Sequence, residues 1–221
     1  MCSILGSFTK EDLVKLAKLN EYRGQHSHSV SFYSVAEQKL VSVQKGMGPL
    51  PIDQITIPPG HYCICHMQAP TTEAKSIDSV HPAEWNGHYL WHNGIVKQQC
   101  IKAMQQLLSF CSDAIYDCYN DWDTKLMVQM IYRAGFKTLT NVDGTFACLY
   151  VEPWGTDMDN LYLFRNEISP LFVDDKYNVS STRFDGSRSL EPNVVWRFEP
   201  GVAITDSGVH FKTVENPYYF G

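Results

Sequence analysis

The sequence lacks an excess of basic charge: 18 Lys and Arg stand against 24 Asp and Glu in 221 residues, a formal charge of −6. With the two signs interspersed there is no basic field to gather a polyanion, so nucleic acid is excluded as an expected partner. No charged leader precedes a long apolar run at MCSILGSFTKEDL, and nowhere do apolar residues approach the roughly 18 in succession that a membrane span needs. A soluble, cytoplasmic chain without a membrane partner is expected. Paired cysteine spacing is also missing. The seven cysteines (Cys2, Cys63, Cys65, Cys100, Cys111, Cys118, Cys148) are odd in number and irregularly placed, so a disulfide framework is not expected and most read as small buried hydrophobes. There is no internal repeat, low-complexity tract, interdomain linker or ATP-binding signature, which predicts one domain over residues 1–221 and no cofactor.

What is there is periodic, and an apolar content of 44% is enough for a full core. Ile4, Leu5 and Phe8 predict a short strand beginning at Cys2, and Thr9 with Asp12 three residues later reads as a helix N-cap. Leu13, Leu16, Ala17 and Leu19 then recur at helical spacing, up to the loop at Arg23-Gly24. Strands are predicted through Val30, Phe32, Leu40, Val41 and Val43, at Ile55-Thr56-Ile57, and from His61 to Met67. The polar stretch from Pro70 to Pro82 reads as a loop able to close over a site. Gly87 to His92 predicts a buried strand broken by Asn93-Gly94. Helices follow over Val96 to Phe110 and Trp122 to Ala134, the second ended by Gly135. Further strands are predicted at Thr145 to Val151, Leu161 to Phe164, Pro170 to Val173, Val194 to Phe198 and Val209 to Thr213. Strands, helices, then strands again indicate a layered α+β domain.

Two places carry chemistry. The small side chain of Cys2 permits removal of the initiator methionine, which leaves a thiol and an α-amine on one residue. Such an amine has a pKa of roughly 7.7–8.0, so near neutral pH it can take the thiol proton, directly or through water, without a histidine. The same residue also reads as an ordinary buried thiol. At His92-Asn93-Gly94 the Asn amide and the unhindered Gly N–H supply two oxyanion donors, although Asn-Gly is equally a common turn. His26, His28, Cys63, Cys65 and His66 are of zinc-binding type but lack the paired ligand gaps of zinc modules, and no metal is expected.

In order along the chain, several segments resemble the class II glutamine amidotransferases, an N-terminal-nucleophile family. Cys2-Ser3-Ile4-Leu5-Gly6 is similar to the family start, and Tyr22-Arg23-Gly24-Gln25 to its Arg-Gly loop. Cys65-His66-Met67-Gln68 through Thr71 sits where the family has a strand ending in small-His-x-Arg and a later Thr. His81-Pro82 and His92-Asn93-Gly94-Ile95 follow, then Trp122-Asp123-Thr124, and Val142-Asp143-Gly144-Thr145-Phe146-Ala147. Arg165 to Leu171 and Val195 to Gly201 resemble the closing strands. The resemblance implies a four-layer αββα sandwich and an amidohydrolase that converts a glutamine side-chain amide to glutamate and ammonia through a Cys2 thioester. It implies an oxyanion hole at Asn93 and Gly94. It also implies substrate contacts by Arg23, Gln68, Thr71, His81, His92 and Asp123, the last to the α-ammonium. The partners implied are a small-molecule amide, glutamine or a relative, and a separate synthetase subunit that uses the ammonia.

The pattern is broken at Gln68, where the family carries an arginine that clamps the glutamine α-carboxylate. One neutral amide cannot replace a bidentate, charge-assisted pair. Gln25-His26-Ser27-His28 and Lys125 depart as well. Two alternatives therefore stand beside the glutaminase: a hydrolase of a different amide, and a catalytically weak relative kept as a binding or regulatory subunit.

Overall fold

The computed structural model describes residues 2–69, 76–110, 117, 120–155 and 158–213. Thr9 caps the first helix as its sequence predicts: its hydroxyl accepts from the Asp12 N–H at 3.1 Å and opens α1 (Lys10–Asn20). Two antiparallel sheets follow. The first orders β11 (Arg188–Ser189), β9 (Phe172–Val173), β10 (Val179–Ser180), β1 (Ser3–Ser7), β4 (His61–Gln68), β2 (Ser27–Ser34) and β3 (Lys39–Met47) side by side. The second orders β13 (Ala203–His210), β12 (Val194–Glu199), β8 (Met158–Arg165), β7 (Gly144–Trp154), β6 (His88–Val96) and β5 (Ala83–Trp85).

Alternation along each strand sorts residues into three cores. Leu5, Val30, Cys63, Cys65 and Met67 face α1 and pack on its Leu13, Leu16 and Ala17. Ile4, Tyr62 and Ile64 face inward and meet Trp91, Ala147, Leu149 and Val151 of the second sheet. Phe146, Cys148 and Tyr150 point the other way, onto α2 (Gln98–Ser109) and α3 (Asp123–Ala134). The result is the αββα layering expected from the resemblance. Cys63 and Cys65 point at α1 whereas His66 belongs to the opposite face of β4, so these zinc-type residues do not converge.

Several expectations are corrected. Asn93-Gly94 is not a break, for β6 runs through it to Val96, with Asn93 opposite Ala147 and Gly94 opposite Phe146. Glycine is needed here by close approach, since a Cβ would run into the Thr145 carbonyl. Ile55-Thr56-Ile57 forms no strand. Lys10 Nζ holds the carbonyls of Ile52 and Ile55, turning that segment under α1, where Ile55 is buried. The last strand among the described residues ends at His210, having begun at Ala203 rather than Val209. Among the described residues no helix is long and apolar enough to cross a membrane.

Candidate functional site

Cys2 stands at the head of β1, buried, where Ser3 pairs with Met67 near the end of β4. Its Sγ lies 3.9 Å from the Ala69 carbonyl. The Arg-Gly loop forms the adjoining wall. Arg23, in the turn following α1 and only 6% exposed, donates from Nε to the Cys2 carbonyl at 3.0 Å. A Cβ on Gly24 would collide with the Gln68 and Ala69 backbone, and His26 N–H donates to the Gln68 carbonyl at 3.0 Å. Arg23 therefore positions the backbone of Cys2.

Asn93 reaches across from the second sheet. By alternation it shares the inward face of β6 with Trp91, and its Nδ2 donates to Ser181 Oγ at 3.3 Å. Ser181 Oγ also accepts the Ile4 N–H at 2.9 Å, and Ser181 N–H donates to the Ile4 carbonyl at 3.1 Å. Ile4 shares its face of β1 with Cys2, two residues away. Ser181 thus ties the Asn93 amide to the strand that follows Cys2. Nothing in the sequence marks it, because a serine after a two-residue strand carries no motif.

The Gly94 N–H is aimed by the sheet. Phe146, opposite it, spends its N–H on Asn166 Oδ1 at 3.2 Å and its carbonyl on Asn166 N–H at 2.9 Å, so Gly94 and Phe146 form a non-hydrogen-bonded pair. The backbone groups of Gly94 then point away from β7, to the other edge of β6. There β5 reaches only as far as Leu90. Its neighbours on the same edge are occupied: the His92 carbonyl accepts from His66 Nε2 at 3.1 Å, and Val96 N–H donates to Asp123 Oδ2 at 3.2 Å.

Asp123 opens α3 and its Oδ1 accepts the Thr124 N–H at 2.7 Å. Its side chain is 20% exposed, and Oδ2 lies 3.9 Å from His92 Nδ1. His92 itself points to α3, with Nδ1 3.1 Å from Thr124 Oγ1. Gln68 is fully buried, its Nε2 donating to the Ser79 carbonyl at 3.2 Å and its Oε1 accepting from His81 N–H at 3.3 Å and Nδ1 at 3.0 Å. His81 stacks at 4.2 Å on His66. Thr71 lies outside the described residues, as do residues 70–75 of the predicted 70–82 loop. The site so built contains Cys2, Arg23, Gln68, His81, His92, Asn93, Gly94 and Asp123, together with His66, Thr124 and Ser181, which the sequence did not single out as site residues.

Three other thiols are held above their ordinary range. A hydrogen bond with Cys63, reinforced by burial, pushes the Cys65 thiol well up, and burial raises Cys100 and Cys148.

No family model and no curated protein matches this sequence. Solved structures do. A glutamine phosphoribosylpyrophosphate amidotransferase from B. subtilis, complexed with ADP and GMP, superposes with a TM-score of 0.63 at 17% identity, over 94% of this chain and 48% of that one. An allosteric regulatory enzyme of purine biosynthesis gives 0.69 at 18% identity, over 98% and 50%. A glutamine aminotransferase class-II domain protein from Silicibacter pomeroyi gives 0.51 at 12% identity, over 93% and 98%. The chain spans about half the length of the first two. At these identities the likeness establishes architecture, and it agrees with the layers described above: the chain shares the fold of these structures, a four-layer αββα sandwich of the N-terminal nucleophile hydrolase type.

Proposed function

We propose that this chain is an amidohydrolase of the class II glutamine amidotransferase type, with Cys2 as its nucleophile. The observation that carries the reading is the pair of donors on β6, an Asn93 amide bonded through Ser181 to the strand of Cys2 and a Gly94 N–H directed at the strand edge. After removal of Met1, the Cys2 α-amine takes the thiol proton and Sγ attacks the amide carbon. The carbonyl oxygen becomes an oxyanion, which accepts from Asn93 Nδ2 and Gly94 N–H. Collapse breaks the C–N bond, the proton leaves with ammonia, and a Cys2 thioester remains. Water then adds to the thioester, releasing the acid and restoring the thiol. The ammonia passes to a synthetase unit that uses it. Asp123, on the same edge as Gly94, is suited to receive a substrate ammonium. The direct test is mass spectrometry to establish a Cys2 start, followed by an ammonia-release screen over amides. A protein beginning at Cys2 that releases ammonia from none of them sinks the reading.

A second reading concerns the carboxylate, and the commitment of Gln68 favours it. With both ends of its carboxamide engaged by Ser79 and His81, Gln68 holds the 79–81 segment, leaving that position without a guanidinium for a substrate anion. The substrate then is an amide whose carboxylate is absent, masked or bound elsewhere. On this reading Gln68→Arg should lower the unfolding free energy by about 3 kcal/mol or more, since it buries a charge and strips His81 N–H of its acceptor. Urea denaturation measures this. A Gln68→Arg variant of unchanged stability with improved kcat/KM for free glutamine would show instead that the site accepts the family clamp.

A further inference from the structure

Asn20 closes α1 three residues before Arg23 and is fully buried, outside the residues that line the site. Its carboxamide is filled at both ends. Nδ2 donates to the Leu16 carbonyl and to Ser180 Oγ, each at 2.9 Å, and because a carbonyl only accepts, the orientation of the amide is fixed. Oδ1 is then the acceptor, and Thr182 Oγ1 donates to it at 2.7 Å. Thr182 N–H donates in turn to Ser180 Oγ at 3.0 Å. One buried amide therefore holds both of the side chains that flank Ser181.

Extended backbone carries this restraint to the site. Val179 lies in the core between the sheets, so alternation sends Ser180 and Thr182 toward α1 and turns Ser181 toward the second sheet. There Ser181 Oγ accepts the Ile4 N–H at 2.9 Å and Asn93 Nδ2 at 3.3 Å, while Ser181 N–H donates to the Ile4 carbonyl. We propose that Asn20 and Thr182 are positioning residues for the oxyanion donor: by gripping the segment on both sides of Ser181 they fix the line along which Ser181 holds the Asn93 amide. Neither touches a substrate. Their leverage comes from geometry, since a donor must be kept within about 0.5 Å of its productive place by neighbours that are themselves held. Asn20 supplies that support from α1, the helix whose end leads into the Arg23 turn, so both walls of the site are set from one buried side chain.

The catalytic consequence rests on the amidohydrolase reading; the mechanical link does not. Thr182 is only partly buried and offers the milder change. Thr182→Val deletes the hydroxyl at constant shape and should lower kcat about tenfold with KM within about twofold, short of the ~10² that an ångström of misplacement can cost. Thr182→Ser should behave as wild type. In an Asn93→Ala background, Thr182→Val should have no further effect on kcat, because the donor it aligns is gone. An equal loss in both backgrounds overturns the inference: a merely structural anchor, or a route through Tyr22, 3.4 Å from the same hydroxyl, would weaken the enzyme with or without Asn93. Side-chain 1H–15N spectra of the full chain test the link itself. In the wild type the Asn93 Nδ2 hydrogens should show a nuclear Overhauser contact with the Ile4 N–H, since both groups bond one oxygen. Thr182→Val should displace the Asn93 resonances, and Thr182→Ser should leave them in place. A missing wild-type contact overturns the inference whether or not the protein hydrolyses any amide and whether or not a variant folds, and so do Asn93 resonances indifferent to Thr182→Val.

Discussion

Cys2→Ala should abolish amide hydrolysis, with a loss on the order of 10⁶-fold in kcat, the scale seen when a covalent nucleophile is deleted while the oxyanion site remains. The fold should survive, because the change trades a buried thiol for a methyl and leaves the bond from Arg23 to the Cys2 carbonyl in place. A glutamine-like electrophile, diazo-oxo-norleucine, should modify Cys2 and no other cysteine, as burial keeps Cys100 and Cys148 protonated and burial together with Cys63 does so for Cys65. Cys111 and Cys118 lie outside the described residues, so peptide mapping must cover them. Labelling confined to any cysteine but Cys2 would refute the assignment.

Asn93→Ala should cut kcat by about 10²–10³ while moving KM little, since an oxyanion donor acts on charge that exists only in the transition state. The amide also ties β6 to Ser181, so a stability effect must be separated from a catalytic one. Ser181→Ala serves as the control. It removes the acceptor of both Asn93 Nδ2 and Ile4 N–H but leaves the donor itself. A folded Asn93→Ala protein with full turnover, or a Ser181→Ala protein as inactive as Asn93→Ala, would move Asn93 from chemistry to architecture.

The layered architecture was legible because its signals are local or periodic. Thr9 caps α1, Gly135 ends α3, and the alternation of β7 from Phe146 to Val151 assigns its two faces. Asn93-Gly94 misled for a physical reason. The dipeptide that favours a turn is here held in a strand by pairing with Ala147 and Phe146, and its glycine answers the nearness of Thr145, a contact no local rule contains. The edge strand β5 and the short β10 and β11 carry no sequence signal, because two or three residues leave no period to read. Of the candidate site, the nucleophile and the two donors could be named from residue type and order. Ser181 and Thr124 could not, for their roles arise only when segments distant in sequence meet. Gln68 was recognisable as a departure, but its commitment to Ser79 and His81 was not.

The truncation of β5 has a consequence for assembly. An uncovered strand edge is a template on which another extended chain can add, the route to both peptide capture and aggregation. Beyond Leu90 the edge of β6 would be such a template, yet the chain leading into β5 passes through Pro82, which has no N–H to offer, and the two flanking ladder positions are already taken by His66 and Asp123. What stays addressable there, among the described residues, is the Gly94 N–H, between a His92 carbonyl and a Val96 N–H that are both engaged. An edge in that condition offers one donor to one oxygen atom rather than a ladder to an added strand.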